Sequence, residues 1–170
     1  QKAGCKHIQV DEPLFARKPQ DAIDFGINNL AKCFEGIEHE DVEKITHICC
    51  GYPDKLDAVD YPKAPLNSYH EIANLLDKSI INTVSLEDAH RYNDLSLLEK
   101  FANTKIILGL IKIASSKQET NEEIQLRVTK ALDHIKKENL IAAPDCGLGH
   151  LTRKLAKEKL NAMVIAVRDF

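Results

Sequence analysis

The sequence predicts an α/β fold of the (β/α)8 barrel type, with about five of the eight units present in this chain. Three observations point there. Short runs rich in Ile, Val and Leu alternate with amphipathic helical segments, which implies parallel strands joined by right-handed crossovers. The run "KIILGLI" is apolar almost throughout, as expected of a strand covered on both faces. Polar residues stand at the ends of four strand candidates, Asp11 and Glu12, His47 and Cys49, Glu87 and Asp88, Asp145 and Cys146. Catalytic groups of a barrel gather at such C-terminal strand ends. An open dinucleotide-binding sheet would also satisfy the alternation, but no glycine-rich loop follows any strand.

The five strand candidates are "KHIQVDEP", "KITHICCG", "INTVSLED", "KIILGLIKI" and "LIAAPDCG". Between the first two, "DAIDFGINNLAKCF" spaces Ile23, Ile27, Leu30 and Phe34 along one helical face, and Gly36 can end it. Ser68 and Glu71 read as a capping box ahead of Ile72, Leu75 and Leu76. Thr120 and Glu123 repeat that pattern before Ile124, Val128, Leu132 and Ile135. A last helix runs from about Leu151 to Val167, with Leu155 and Met163 on its apolar side. The longest loop is Gly51 to Pro65, kept irregular by Pro53, Pro62 and Pro65. The chain opens at Gln1, and "QKAGC" reads as a last helical turn stopped by Gly4. The first three strands are therefore expected upstream of Gln1, with residues 1–170 forming the C-terminal portion of one barrel.

Composition narrows the function. The chain has 170 residues, of which 44% are hydrophobic and 29% charged, ordinary for one soluble domain with a real core. A net charge of −3 gives no general attraction to nucleic acid or an anionic membrane. No apolar run approaches the roughly 20 residues that a membrane helix needs. Five cysteines without regular spacing point to reduced thiols in a cytoplasmic protein, not to a secreted disulfide framework. The sequence leaves a homo-oligomer open.

The stretch "KITHICCGYP" carries the chemistry. Strand alternation puts His47 and Cys49 on one face and Cys50 on the other. Taken singly, a buried cysteine is most often a small core residue and a histidine a satisfied polar group. In a barrel, however, His47, Cys49, Glu87 and Cys146 can converge at one mouth. One nitrogen, two thiolates and one carboxylate suit tetrahedral Zn²⁺. Such an anionic cage is a poor activator of water but can hold a substrate thiol as a nucleophilic thiolate. Glu87, the hard oxygen donor, is the ligand expected to yield to an incoming sulfur. Cys5, Cys33 and Cys50 are read as structural, at a helix end, on a helix face and on the opposite strand face. Asp11 or Glu12, ahead of Pro13, either terminates its strand or receives a substrate ammonium group.

The pieces "IQVDEPLF", "THICCG", "VSLED", "LGLIKI…ETNEEIQLRVTKAL" and "LIAAPDCGLGHL" resemble the C-terminal catalytic barrel of cobalamin-independent methionine synthase. They are most similar to its stand-alone single-barrel relatives, in order over nearly the whole chain. The resemblance implies a barrel of the methionine synthase and uroporphyrinogen decarboxylase type, with zinc at its mouth and a methyl group transferred to homocysteine. It places the zinc ligands on His47, Cys49, Glu87 and Cys146, and the acid that binds the amino group of homocysteine on Asp11. The family's folate-dependent enzymes carry a catalytic histidine in an "IHS" motif after the seventh strand. Here "KIASSKQET" puts Ala114 at that position, as in stand-alone relatives that lack the histidine. His90, just beyond Glu87, is a candidate catalytic substitute whose alternative is a loop histidine with structural hydrogen bonds. The methyl donor is left open between methyl-folate and a methyl-corrinoid carrier. Other readings are transfer to another small thiol such as coenzyme M, and a non-catalytic zinc- or thiol-binding protein on the same scaffold.

Overall fold

A computed structural model describes residues 4–37, 42–168 and 170. Its centre is one five-stranded sheet, parallel throughout, with the strands side by side in sequence order. They are β1 (His7–Asp11), β2 (Glu43–Ile48), β3 (Thr83–Leu86), β4 (Lys105–Ile111) and β5 (Leu140–Pro144). All five strand candidates are formed. Strands in unbroken chain order are the arrangement of a barrel wall, so the sheet is an arc of five consecutive βα units.

The crossovers carry the helices: α1 (Pro19–Asp21), a π-helical turn (Ala22–Gly26), α2 (Ile27–Cys33), α3 (Ser68–Asp77), α4 (Asn121–Leu132) and α5 (Arg153–Val167). In the first, Ile27, Leu30 and Phe34 are buried, as their spacing predicts. Gly36 follows at φ +77°, the left-handed conformation that glycine adopts freely. The Thr120–Glu123 capping box forms, each side chain bonding the other residue's backbone N–H. The Ser68–Glu71 box does not. Helix α3 begins after Asn67 without a side-chain cap, and the Ser68 hydroxyl is buried without a partner. The reading of a helical turn before Gly4 falls partly on residues 1–3, outside the described residues.

The strands differ in cover. In β3 every residue is buried, and β4 is nearly so, whereas β1 and β5 alternate or are half-buried as edge strands. Because all five run the same way, their C-terminal ends share one edge, and the polar strand-end residues arrive there together. The loop 51–65 crosses that edge. Asp57 N–H donates to Ala114 O at 2.7 Å, Lys63 Nζ to His90 O at 3.2 Å, and Tyr52 Oη to Gly147 O at 3.1 Å.

Candidate metal centre

The four side chains singled out in the sequence come from three strand ends. His47 lies near the end of β2 and Cys49 just past it, Glu87 follows β3, and Cys146 follows β5. One ligand atom from each lies within 4.8 Å of all the others. The Cys49 and Cys146 sulfurs are 4.0 Å apart, and the Cys49 thiol donates to Glu87 Oε1 at 3.0 Å.

The imidazole is set for a ligand. His47 Nδ1 lies 2.9 Å from Ser85 Oγ, which faces it across the β2–β3 ladder. His47 is only 6% exposed, and its Nε2 is buried with no hydrogen-bond partner. With the Nδ1 proton given to Ser85, Nε2 presents a lone pair, the usual arrangement for a metal-binding histidine. A buried nitrogen without a partner, beside two free thiols and a carboxylate, fits a thiophilic divalent ion such as zinc.

Electrostatics separates the two thiols. Cys146 is lowered, by its contact with Cys49 and, against its burial, by His47 and the Gly147 N–H. Cys49 is pushed up, by its contact with Cys146, then by burial and by Glu87. Burial alone would lower His47, but the Cys146 contact, with the charges of Glu87 and Asp11, raises it above its ordinary value. The surroundings thus favour ionisation of Cys146 over that of Cys49.

A buried framework holds these ends in place. Tyr69 Oη donates to Ile48 O at 2.8 Å and accepts from Glu87 N–H at 3.3 Å, bracing β2 against β3 beside the centre. Asp145, next to Cys146, accepts from the backbone N–H groups of Asp88 and Ala89 at 2.8 Å through Oδ1, and of His90 at 2.7 Å through Oδ2. Burial raises the Asp145 carboxyl to about 7 against the lowering effect of those bonds. Its carboxylate lies against Gly109, where a Cβ would meet Oδ1 at 1.9 Å. Asp88 in turn receives both Nε and Nη2 of Arg127, at 2.6 and 2.7 Å, tying α4 to the loop after Glu87.

Other expectations meet the structure less simply. Asp11 is exposed at the end of β1, in register with His47, and accepts from Gln9 Nε2 at 2.7 Å. Glu12 is half-buried, and burial raises its carboxyl. His90 lies outside the four-residue cluster. Its Nε2 accepts the Ala114 N–H at 3.2 Å, and burial, then nearby lysines, lower it to about 4. It is therefore neutral near pH 7, with that nitrogen occupied by the Ala114 N–H. Cys50 departs from expectation. Strand β2 stops at Ile48, so alternation no longer governs the next residues, and the Cys50 sulfur sits 2.6 Å from Glu87 Oε2. Tyr69 carried no signal in the sequence, whereas a glycine inside the apolar strand "KIILGLI" signals close approach and points to Asp145.

The fold and this cluster define a class: a (β/α)8-type wall that gathers a histidine, two cysteines and a glutamate at its C-terminal edge, a set able to hold one divalent ion. Comparison with known proteins makes the class specific. Residues 1–169 match the family described as cobalamin-independent synthase, catalytic domain. The chain belongs to the cobalamin-independent methionine synthase family. It is 27% identical over 169 residues to the methionine synthase of Pyrococcus furiosus, covering 99% of this chain and 44% of that protein. It is 28% identical over 165 residues to the methionine synthase of a Saccharolobus islandicus strain, covering 96% and 44%. Among solved structures, it superposes with a TM-score of 0.85 and 30% identity on a B12-independent methionine synthase from Shewanella sp. W3-18-1 in complex with selenomethionine. That match covers 99% of this chain and 49% of the other. A methyltransferase from Methanosarcina mazei, 18% identical with a TM-score of 0.66, shares the fold. The chain thus spans about half the length of the relatives it matches.

Proposed function

We propose that this chain supplies the thiol-activating part of a methyltransferase that converts homocysteine to methionine, as the C-terminal portion of one barrel. The observation that carries the reading is the cluster itself, with His47 Nε2 unpartnered among two thiols and a carboxylate. His47, Cys49, Glu87 and Cys146 would hold Zn²⁺, whose chemistry is to keep a thiol deprotonated and nucleophilic at neutral pH.

The chain's own residues do the rest. Asp11, exposed beside His47, is placed to pair with the substrate ammonium group and fix which thiol is presented. In the reaction the acceptor loses its thiol proton, sulfur forms the new bond to carbon, and the methyl–donor bond breaks with its electrons staying on the donor. Holding both partners in line contributes several kcal/mol, within the ~7–11 kcal/mol ceiling for positioning. Ala114 offers no side chain to the departing donor, and His90 is bound to its backbone. That position therefore supplies no proton to the departing donor, which suits a methyl-corrinoid carrier, whose leaving group needs none, better than methyl-folate, whose amine nitrogen must be protonated to leave. The free cysteines suit a reducing cytoplasmic setting.

Methionine formation from homocysteine by the zinc-loaded full-length protein, with methyl-folate and a methyl-corrinoid as donors, tests the reading. Product with either donor, lost in Asp11→Asn through a raised homocysteine KM, is the expected result. Zinc binding without product from any donor, or equal use of coenzyme M, would overturn it.

A further inference from the structure

We propose that Cys50 is a positioning residue that pins the far oxygen of Glu87 and so keeps this carboxylate to a single oxygen facing the thiols. The inference rests on the metal-centre reading above and adds a role that the four-residue set does not contain. Cys50 is 1% exposed, and its sulfur lies 2.6 Å from Glu87 Oε2, while Oε1 accepts from Cys49 at 3.0 Å. The two carboxylate oxygens are thus divided between adjacent cysteines of one chain segment. Glu87 is itself 3% exposed, and its backbone N–H is fixed to Tyr69, so rotation of the carboxylate is the freedom that Cys50 removes.

The consequence concerns room for a substrate. A carboxylate can offer a metal ion one oxygen or two. With Oε2 engaged by the Cys50 S–H, only Oε1 is available, and an acceptor sulfur has a single oxygen to displace. Without that donor Oε2 is free to turn toward the thiols and compete with the acceptor. Groups that orient a metal ligand are worth roughly 10- to 100-fold in affinity or activity. The backbone allows this contact because β2 ends at Ile48, which releases residues 49 and 50 from strand alternation and brings both sulfurs to Glu87.

The test loads the full-length protein, its Cys50→Ala variant and its Cys50→Ser variant with Co²⁺. It reads the visible d–d band and the sulfur-to-cobalt charge-transfer band on titration with L-homocysteine. A weaker d–d band and roughly 10- to 100-fold weaker homocysteine binding are expected in Cys50→Ala, with both properties restored by Cys50→Ser, which keeps a donor. An Ala variant identical to the parent would overturn the clamp while leaving the centre intact. Loss of metal in both variants would overturn it differently, making Cys50 a ligand in its own right. A parent protein that takes up no cobalt would refute the centre itself, and the clamp with it.

Discussion

Replacing Gly109 with alanine tests whether the sheet and the centre are one mechanical unit. The new Cβ would sit 1.9 Å from Asp145 Oδ1, 2.9 Å from its Cα and 3.0 Å from its Cγ. Ordinary carbon contacts begin at about 3.5 Å, so the carboxylate must retreat by about 1.5 Å. Oδ1 holds the N–H groups of Asp88 and Ala89, and a movement of that size breaks both bonds. Overpacking costs about 1–3 kcal/mol and each of the two stranded buried donors about 1–3 kcal/mol, a range of about 3–9 kcal/mol whose lower part, on the order of 4 kcal/mol, applies where the loop relaxes. At a urea slope of about 2 kcal/mol/M the unfolding midpoint should fall by about 2 M. The damage should also reach the site, because Asp145 precedes Cys146 and its bonds hold the loop that follows Glu87. Zinc affinity, read by competition with a chromophoric chelator, should drop with the midpoint. In an Asp145→Ala background the same glycine replacement should cost clearly less, since the nearest clash has been removed. A Gly109→Ala protein with an unchanged midpoint and undiminished zinc affinity would show that Asp145 does not couple the sheet to the centre.

Further outcomes follow from the same contacts. Arg127→Leu leaves the fully buried Asp88 carboxylate without its two-pronged partner and should destabilise by about 3–5 kcal/mol in urea unfolding. Tyr69→Phe keeps the ring but removes the bridge between Ile48 O and Glu87 N. It should cost about 1–3 kcal/mol and weaken zinc binding measured by the same competition. Because His90 titrates near 4 when folded against about 6.5 unfolded, the unfolded chain binds the extra proton between those values. Its contribution to stability is complete above about pH 6.5 and is lost as pH falls toward 4, so His90→Gln should flatten the stability–pH curve in that window. Cys146→Ser should abolish zinc retention, read as metal content after dialysis.

The sequence was most legible where periodicity and chemistry agreed. All five strands and the four-residue cluster were readable, because apolar alternation marks strands and parallel order brings their ends to one edge. The Thr120–Glu123 cap was readable because its pattern is local. The Ser68–Glu71 pattern misled because the chain enters α3 already turned at Asn67, which leaves the serine hydroxyl facing inward. Cys50 misled for a related reason. Alternation tells which face a residue takes within a strand but not where the strand stops, and β2 stops two residues short of it. The bracing contacts of Asp145 and Tyr69 join residues far apart in the chain, so no local pattern announces them.

The proposed centre requires His47, Cys49, Glu87 and Cys146 to grip one zinc ion from three strand ends. Zinc-edge X-ray absorption on the full-length protein addresses it most directly. One zinc per chain with two sulfur and two nitrogen or oxygen neighbours, of which one oxygen gives way to a third sulfur when homocysteine is added, is the predicted result. A zinc-free protein, or a shell without sulfur that homocysteine leaves unchanged, would contradict it.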